Sequence, residues 1–287
     1  MNYHPRATSL HATRAVVASA WCVVLAGVAL SFEHPLLLGA ALAAVVLAAV
    51  GAQSGTVVAR ALAWALPFAL AIAVINALVV RDGLTVIARL GSIPPLGQVD
   101  VTLEALSYGG VLGLRALVVI GCFALHSAAV DPDDLLRAFR RISYRSALTA
   151  VLATRLVPVL GRDARRLRDA QRCRPGPPAS RLAIVRAVTA GALDRAVDVA
   201  ATLEVRGYGA AGRPRSQPRP WSRHDFGFAA SSLALAALAI AAALAGWEPF
   251  EAYPRTVVPV DAAVLGLATA LLALSLAPFA ERRGVGR

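Results

Sequence analysis

Six apolar runs punctuate the chain, at 15–32, 36–52, 62–80, 108–130, 226–247 and 257–280. A helix rising about 1.5 Å per residue needs roughly 20 apolar residues to cross a bilayer, so each run predicts a membrane span. The first two are short for that task. Arg6 and Arg14 precede the first run in the manner of a signal peptide. However, Ser31-Phe32-Glu33-His34-Pro35 is a poor cleavage site and further spans follow, so the first helix is read as retained.

Between the fourth and fifth runs the pattern changes to three amphipathic helical pieces. Asp131-Pro132-Asp133-Asp134 opens the first, with Asp131 as N-cap, Pro132 at the first helical position and two acids on the positive helix end. The second, from about 146 to 172, repeats Leu148, Leu152, Leu156, Val159, Leu160 and Leu167 at helical spacing. Pro158 is expected to kink it, and Pro175-Gly176-Pro177-Pro178 ends it. The third starts near Ser180 and is expected to use Leu182, Val185, Leu193, Ala196, Ala200 and Leu203 as its apolar face, with Arg195 on another. It stops at Gly207-Tyr208-Gly209, where glycine takes the left-handed conformation, and a basic proline-rich linker at 212–220 leads to the fifth span.

This organisation predicts an all-α integral membrane protein: four spans in 1–130, coupling helices in 131–223, and two spans with a basic tail in 224–287. Composition agrees, with 57% hydrophobic residues among 287 and a mean hydropathy of +0.63. All 29 basic residues are Arg. Nineteen fall in 131–223 against eight acids, so that block carries +11 of the net +12. Basic loops stay in the cytoplasm, which places this block and both termini inside a multi-pass plasma-membrane protein.

Chemistry is sparse. Cys22, Cys122 and Cys173 form no metal-ligand or disulfide spacing. The formal fingerprint Gly207-x-Gly209-x-x-Gly212 follows a helix instead of a strand, with prolines after it, so it is no dinucleotide loop. Without a single Lys the chain has no phosphate-binding P-loop. Arg115 lies within the fourth span, a costly place for a charge, and is expected to pair structurally with Asn76 or Glu104. Arg137, Arg140 and Arg141 read as topology determinants and anionic-lipid contacts.

Three elements inside the block then stand out. They are Arg155-Leu156-Val157-Pro158, Asp169-Ala170-Gln171-Arg172-Cys173-Arg174 with Pro175 after it, and Leu203-Glu204-Val205-Arg206-Gly207-Tyr208-Gly209. In order and spacing they resemble the Arg-x-x-Pro, Glu-Ala-Gln-Arg-Ala-Arg-Gly and second Ala-Arg-Gly elements of the transmembrane T component of energy-coupling factor (ECF) transporters, the EcfT/CbiQ family. The resemblance covers about 105–210. The sequence departs from it at Cys173 and Pro175, where small residues flank the Arg in the family, and at Val205, commonly Ala.

The resemblance implies a non-catalytic scaffold of an ECF-type ABC importer for a vitamin or a transition-metal ion. Arg174 and Arg206, with Cys173, Pro175, Val205 and Gly207 beside them, would dock in grooves of two cytoplasmic EcfA-type ATPases. Arg155, Pro158, Asp169, Gln171 and Glu204 would support the motifs. A separate membrane S component would bind the substrate, ATP would be used by the partner subunits, and this chain would bind no cofactor, metal or nucleic acid of its own. Arg suits docking because its planar guanidinium pairs bidentately with carboxylates and keeps its charge when partly desolvated. The bland reading of each Arg is a helix-end residue offsetting the dipole.

The alternative function is a membrane enzyme acting on lipid phosphates through the Arg-rich face. It would need clustered acids or His at the membrane, and Asp131, Asp133 and Asp134 are better explained as a helix cap. A secondary transporter would need polar residues at the midplane of matched halves. Nucleic-acid binding would need aromatics interleaved among the Arg.

Overall fold

The computed structural model describes residues 5–80, 85–93, 97–139, 144–173, 175, 180–208, 220–246 and 260–281. Arg140, Arg141, Arg174 and the linker at 212–219 lie outside them. The chain forms two compact units, Met1–Leu135 with Trp221–Arg287, and Leu136–Pro220.

The first unit contains α1 (Ser9–Ala12), α2 (Ala15–Ser31), α3 (Pro35–Gly51), α4 (Gly55–Val79), α5 (Leu103–Ala129), α9 (Arg223–Ala245) and α10 (Ala262–Leu276), the last closed by a 3-10 turn at Ala277–Phe279. Four of these helices (α4, α5, α9, and α10 with its turn) are long and apolar enough to cross a membrane, and α2 and α3 are apolar helices of 17 residues each. The chain is an all-α membrane protein.

Boundaries differ from the expected spans where polar residues belong to the helix. Helix α4 starts at Gly55 instead of 62 and so includes Arg60, and α5 starts at Leu103 with Thr102 capping the Ala105 N–H. Hydropathy trims a span at its first charge. Backbone hydrogen bonding does not. The connection between α4 and α5 holds an antiparallel hairpin of β1 (Val86–Ile93) and β2 (Gly97–Thr102), with Val86 opposite Thr102.

Aromatic packing joins α2, α9 and α10. Trp21 stands edge-on to Phe228 and Phe279, with centroids 5.6 and 5.8 Å away. Its indole N–H donates to Ser231 Oγ at 3.1 Å, and that hydroxyl donates to the Leu274 carbonyl at 2.7 Å. Each polar group thus finds a partner in a setting where water supplies none. At the start of α9, buried Asp225 accepts from the Arg14 and Ser222 N–H groups at 2.7 and 2.9 Å and forms a capping box with Ser222. Arg14 also lies 5.1 Å over the Trp221 ring.

The most extensive helix pairing is α4 with α5. Ala65, Ala69, Ala73 and Ala77 form a buried four-residue repeat on α4. Opposite them sit Gly109 and Gly113 of α5, where an added Cβ would fall 2.8 Å from the Ala73 carbonyl oxygen and 2.7 Å from that of Ala69. Small residues let the two backbones touch, the usual basis of tight helix pairing in a membrane.

The α3–α4 turn carries strain. Gln53 has φ of 55°, the left-handed region that favours glycine. Its N–H bonds to Val50 O and that of Ser54 to Ala49 O, a Schellman cap, while the Arg6 guanidinium donates to the Gln53 carbonyl. Left-handed strain of about 1–2 kcal/mol exceeds the roughly 0.5–1 kcal/mol of extra chain entropy that a glycine loses on folding. Gln53→Gly is therefore expected to raise stability by up to about 1 kcal/mol, seen as a higher midpoint of thermal unfolding in detergent. A lowered midpoint contradicts this.

Candidate functional site

The second unit holds α7 (Tyr144–Arg172) and α8 (Arg181–Val205), and α6 (Pro132–Phe139) crosses its boundary. At α6 the Asp131 carboxylate accepts the Asp133 N–H at 2.9 Å, a capping role for Asp131. Helix α7 runs uninterrupted through Pro158. Its half-buried face carries Leu148, Leu152, Leu156, Val159, Leu160 and Leu167, the stripe read from the sequence, and also Asp163 and Gln171. Arg155, Pro158, Arg162, Arg165, Arg166, Arg168, Asp169 and Arg172 are exposed. Beyond the last turn Cys173 is exposed, its N–H bonded to the Asp169 carbonyl at 3.2 Å, and Pro175 is exposed as well. The Arg174 placement falls outside the described residues.

Helix α8 begins at Ser180, whose hydroxyl accepts the Ala183 N–H at 3.2 Å. Its half-buried positions are Ile184, Val188, Ala192, Arg195, Val199 and Leu203. This corrects the expected face. Of the residues assigned to it, only Leu203 is half-buried, while Leu182, Val185, Leu193, Ala196 and Ala200 are exposed. The true face is turned by about 90° because Arg195 belongs to it, at 100° per residue. Arg195 Nη1 lies 3.0 Å from Asp163 Oδ2 of α7, an ion pair that joins the two helices.

The end of α8 is built in detail. Gly207, with φ of 74°, reverses the chain. The Tyr208 N–H bonds to Leu203 O at 2.8 Å and the Gly207 N–H to Glu204 O at 2.9 Å, the two bonds of a Schellman motif. The Arg206 N–H reaches Thr202 O at 3.2 Å. These last carbonyls are thus satisfied by backbone donors, and the Arg206 side chain is not needed to cap them. It is exposed, and no hydrogen bond or ion pair engages it among the described residues. Glu204 is exposed beside it, and Val205 is 90% exposed. Helix α8 itself, with its 25 residues, is about 37 Å long.

Arg115 is half-buried in α5 but does not pair as expected. Its guanidinium donates to the Phe32 carbonyl at 3.0 Å and lies 3.5 Å from the Glu33 carboxylate, at the α2–α3 connection. Glu104 stands 11 residues earlier, about 16 Å along the helix, where its buried carboxylate accepts the Thr85 N–H at 3.2 Å and closes the hairpin base. Asn76 instead donates to Ile72 O on its own helix, at 3.4 Å. Nothing in a linear pattern announces a partner from a connection 82 positions away.

Residues 6–218 match the profile of the CbiQ family, described as cobalt transport protein. The chain belongs to the CbiQ family. The matched region takes in α1 to α8 and both arginine motifs, and stops before α9. A comparison with curated proteins gave no match. As a CbiQ-family chain, the protein is a membrane-embedded component of a transport system.

Proposed function

We propose that the chain is the coupling subunit of an ECF-type ABC importer, transmitting ATP-driven motion of two cytoplasmic ATPases to a separate substrate-binding membrane subunit. The reading rests above all on the end of α8. Its carbonyls are closed by a backbone motif, which leaves the Arg206 guanidinium and the Val205 side chain free to enter another protein. A guanidinium with an apolar neighbour is the chemistry of a desolvated docking knob.

Arg174, in the motif that precedes α8 in the sequence, would occupy the second ATPase groove, with Cys173 and Pro175 flanking it. Arg155, Pro158, Asp169, Gln171 and Glu204 would shape these ends. ATP-driven approach of the two ATPases would move both ends together, and α7 and α8 would carry that movement to the partner in the bilayer. The substrate would be a vitamin or a transition-metal ion, and the family description favours the metal ion. ATP hydrolysis would belong to the partners, since this chain lacks the lysine of a phosphate loop. The +11 charge of 131–223 supports a cytoplasmic position for these helices and for both termini.

Mild detergent extraction is expected to bring down the ATPases and a second membrane protein, while the chain purified alone hydrolyses no ATP. Turnover by the isolated chain, abolished by a point change within it, would sink this reading. Orientation is tested separately with single cysteines at 33, 85 and 251 in a Cys-free variant. They should react with an impermeant thiol reagent in intact cells, and labelling at 140 or 215 instead would reverse the topology.

A further inference from the structure

Helices α7 and α8 are held together thinly. None of their described residues is buried, and the most covered side chains on either helix are only half-buried. An apolar seam of this kind is non-directional, so it does not by itself fix the slide or rotation of one helix on the other. The Asp163–Arg195 pair differs because it is directional. Its 3.0 Å contact sits in the seam, with the side chains 29% and 40% exposed. Asp163 is the acid turned into the seam of a helix that otherwise presents arginines to solvent.

Its position along the helices is informative. Cys173 lies ten residues beyond Asp163 and Arg206 eleven beyond Arg195, so each motif stands about 15–16 Å from the pair. The ion pair is the midpoint of a two-armed lever. A rotation of about 10° at this point displaces each end by roughly 3 Å, from the arm length given by the helix rise.

We propose that Asp163–Arg195 is a brace that sets the angle and register of α7 on α8, and through them the separation of the two arginine-bearing ends. Both residues are positioning residues. Their contribution to folding is small, as for most half-exposed ion pairs, and their effect is on geometry. The consequence for transport rests on the coupling role proposed above. The effect on geometry does not.

The test uses the full-length chain in lipid nanodiscs, with Cys22→Ala and Cys122→Ala, a nitroxide on native Cys173 and another on Ala201→Cys, which is exposed and outside the motif. Pulsed electron-electron distance measurement is expected to give one narrow distribution. Asp163→Arg should broaden it or shift it by several ångströms, as should Arg195→Asp, with the thermal midpoint nearly unchanged. The swap Asp163→Arg/Arg195→Asp should restore a narrow peak. Unchanged distributions in both single variants overturn the brace. So does a swap that stays as broad as the singles, or a loss of folding in the singles that the swap does not repair. In cells carrying the whole transporter, the singles should retain the ATPases yet lose uptake by roughly tenfold or more, the scale of ångström-level misplacement, and the swap should recover it. If the distances follow this pattern and uptake does not, the brace stands and the coupling role falls.

Discussion

Arg174→Glu and Arg206→Glu together are expected to abolish co-purification of the ATPases and ATP-driven uptake, while the chain still inserts in the membrane. Removing an arginine from a desolvated interface costs about 2 kcal/mol or more. Reversal adds like-charge repulsion of several kcal/mol if the groove is acidic or lined with carbonyls. Two such ends exceed roughly 4 kcal/mol, about a thousandfold in affinity. Either single variant should weaken assembly less, because the other arm still holds. Arg137→Glu controls for lost positive charge and should be mild. Substitutions at Gly207 probe the same end through the backbone. Asn tolerates φ of 74° better than Ala, and Val tolerates it worst, so assembly should fall in the order Gly, Asn, Ala, Val. If the double reversal retains its ATPases as well as Arg137→Glu does, Arg174 and Arg206 are ordinary helix-end residues.

Gly113→Leu is expected to prevent accumulation of the folded protein, and Gly113→Ala to lower its stability by about 2 kcal/mol, within the range for an overpacked core. The reason is the Ala69 carbonyl oxygen, 2.7 Å from where the new Cβ would sit. That neighbour is backbone and cannot rotate away, so α4 and α5 must separate along the whole Ala65–Ala77 repeat. Gly109 is equally confined, between the Ala73 backbone at 2.8 Å and Asn76 Cβ at 2.9 Å. Gly110 supplies the control. Nothing lies within 4 Å of its added Cβ, so Gly110→Ala should stabilise α5 by the ordinary helical preference of about 0.5–1 kcal/mol. Thermal unfolding of the three alanine variants in one detergent checks the ranking, and equal effects at 110 and 113 would refute the close approach.

The sequence made some of this legible and hid the rest, for identifiable reasons. Long runs of Ala, Leu and Val announce spans because no other element tolerates them, and Gly207 announces a helix stop because few residues take positive φ. Helix ends were less legible: Ser222, Asp225 and Thr102 are polar yet belong to caps, so the hydropathy edge falls inside the helix. The packed face of α8 is hidden in the sequence because Arg195 has the character of a solvent residue, although its partner Asp163 sits in the apolar stripe of α7 at helical spacing. That spacing was the available signal. The Gly109-x-x-x-Gly113 pair was also available, since four-residue spacing of small residues in a span marks a close helix contact. The Arg115 contact with Phe32 and Glu33 was not, because it depends on how three helices assemble.

Photo-cross-linking from position 205 bears most directly on the docking role, because Val205 is 90% exposed next to Arg206. With a photoreactive amino acid there, irradiation of membranes should yield one adduct whose added mass is that of an ATPase subunit. Arg206→Glu should suppress it. Abundant adducts to lipid or to other membrane proteins, with no ATPase adduct even when the ATPases are present, would contradict the docking of this helix end.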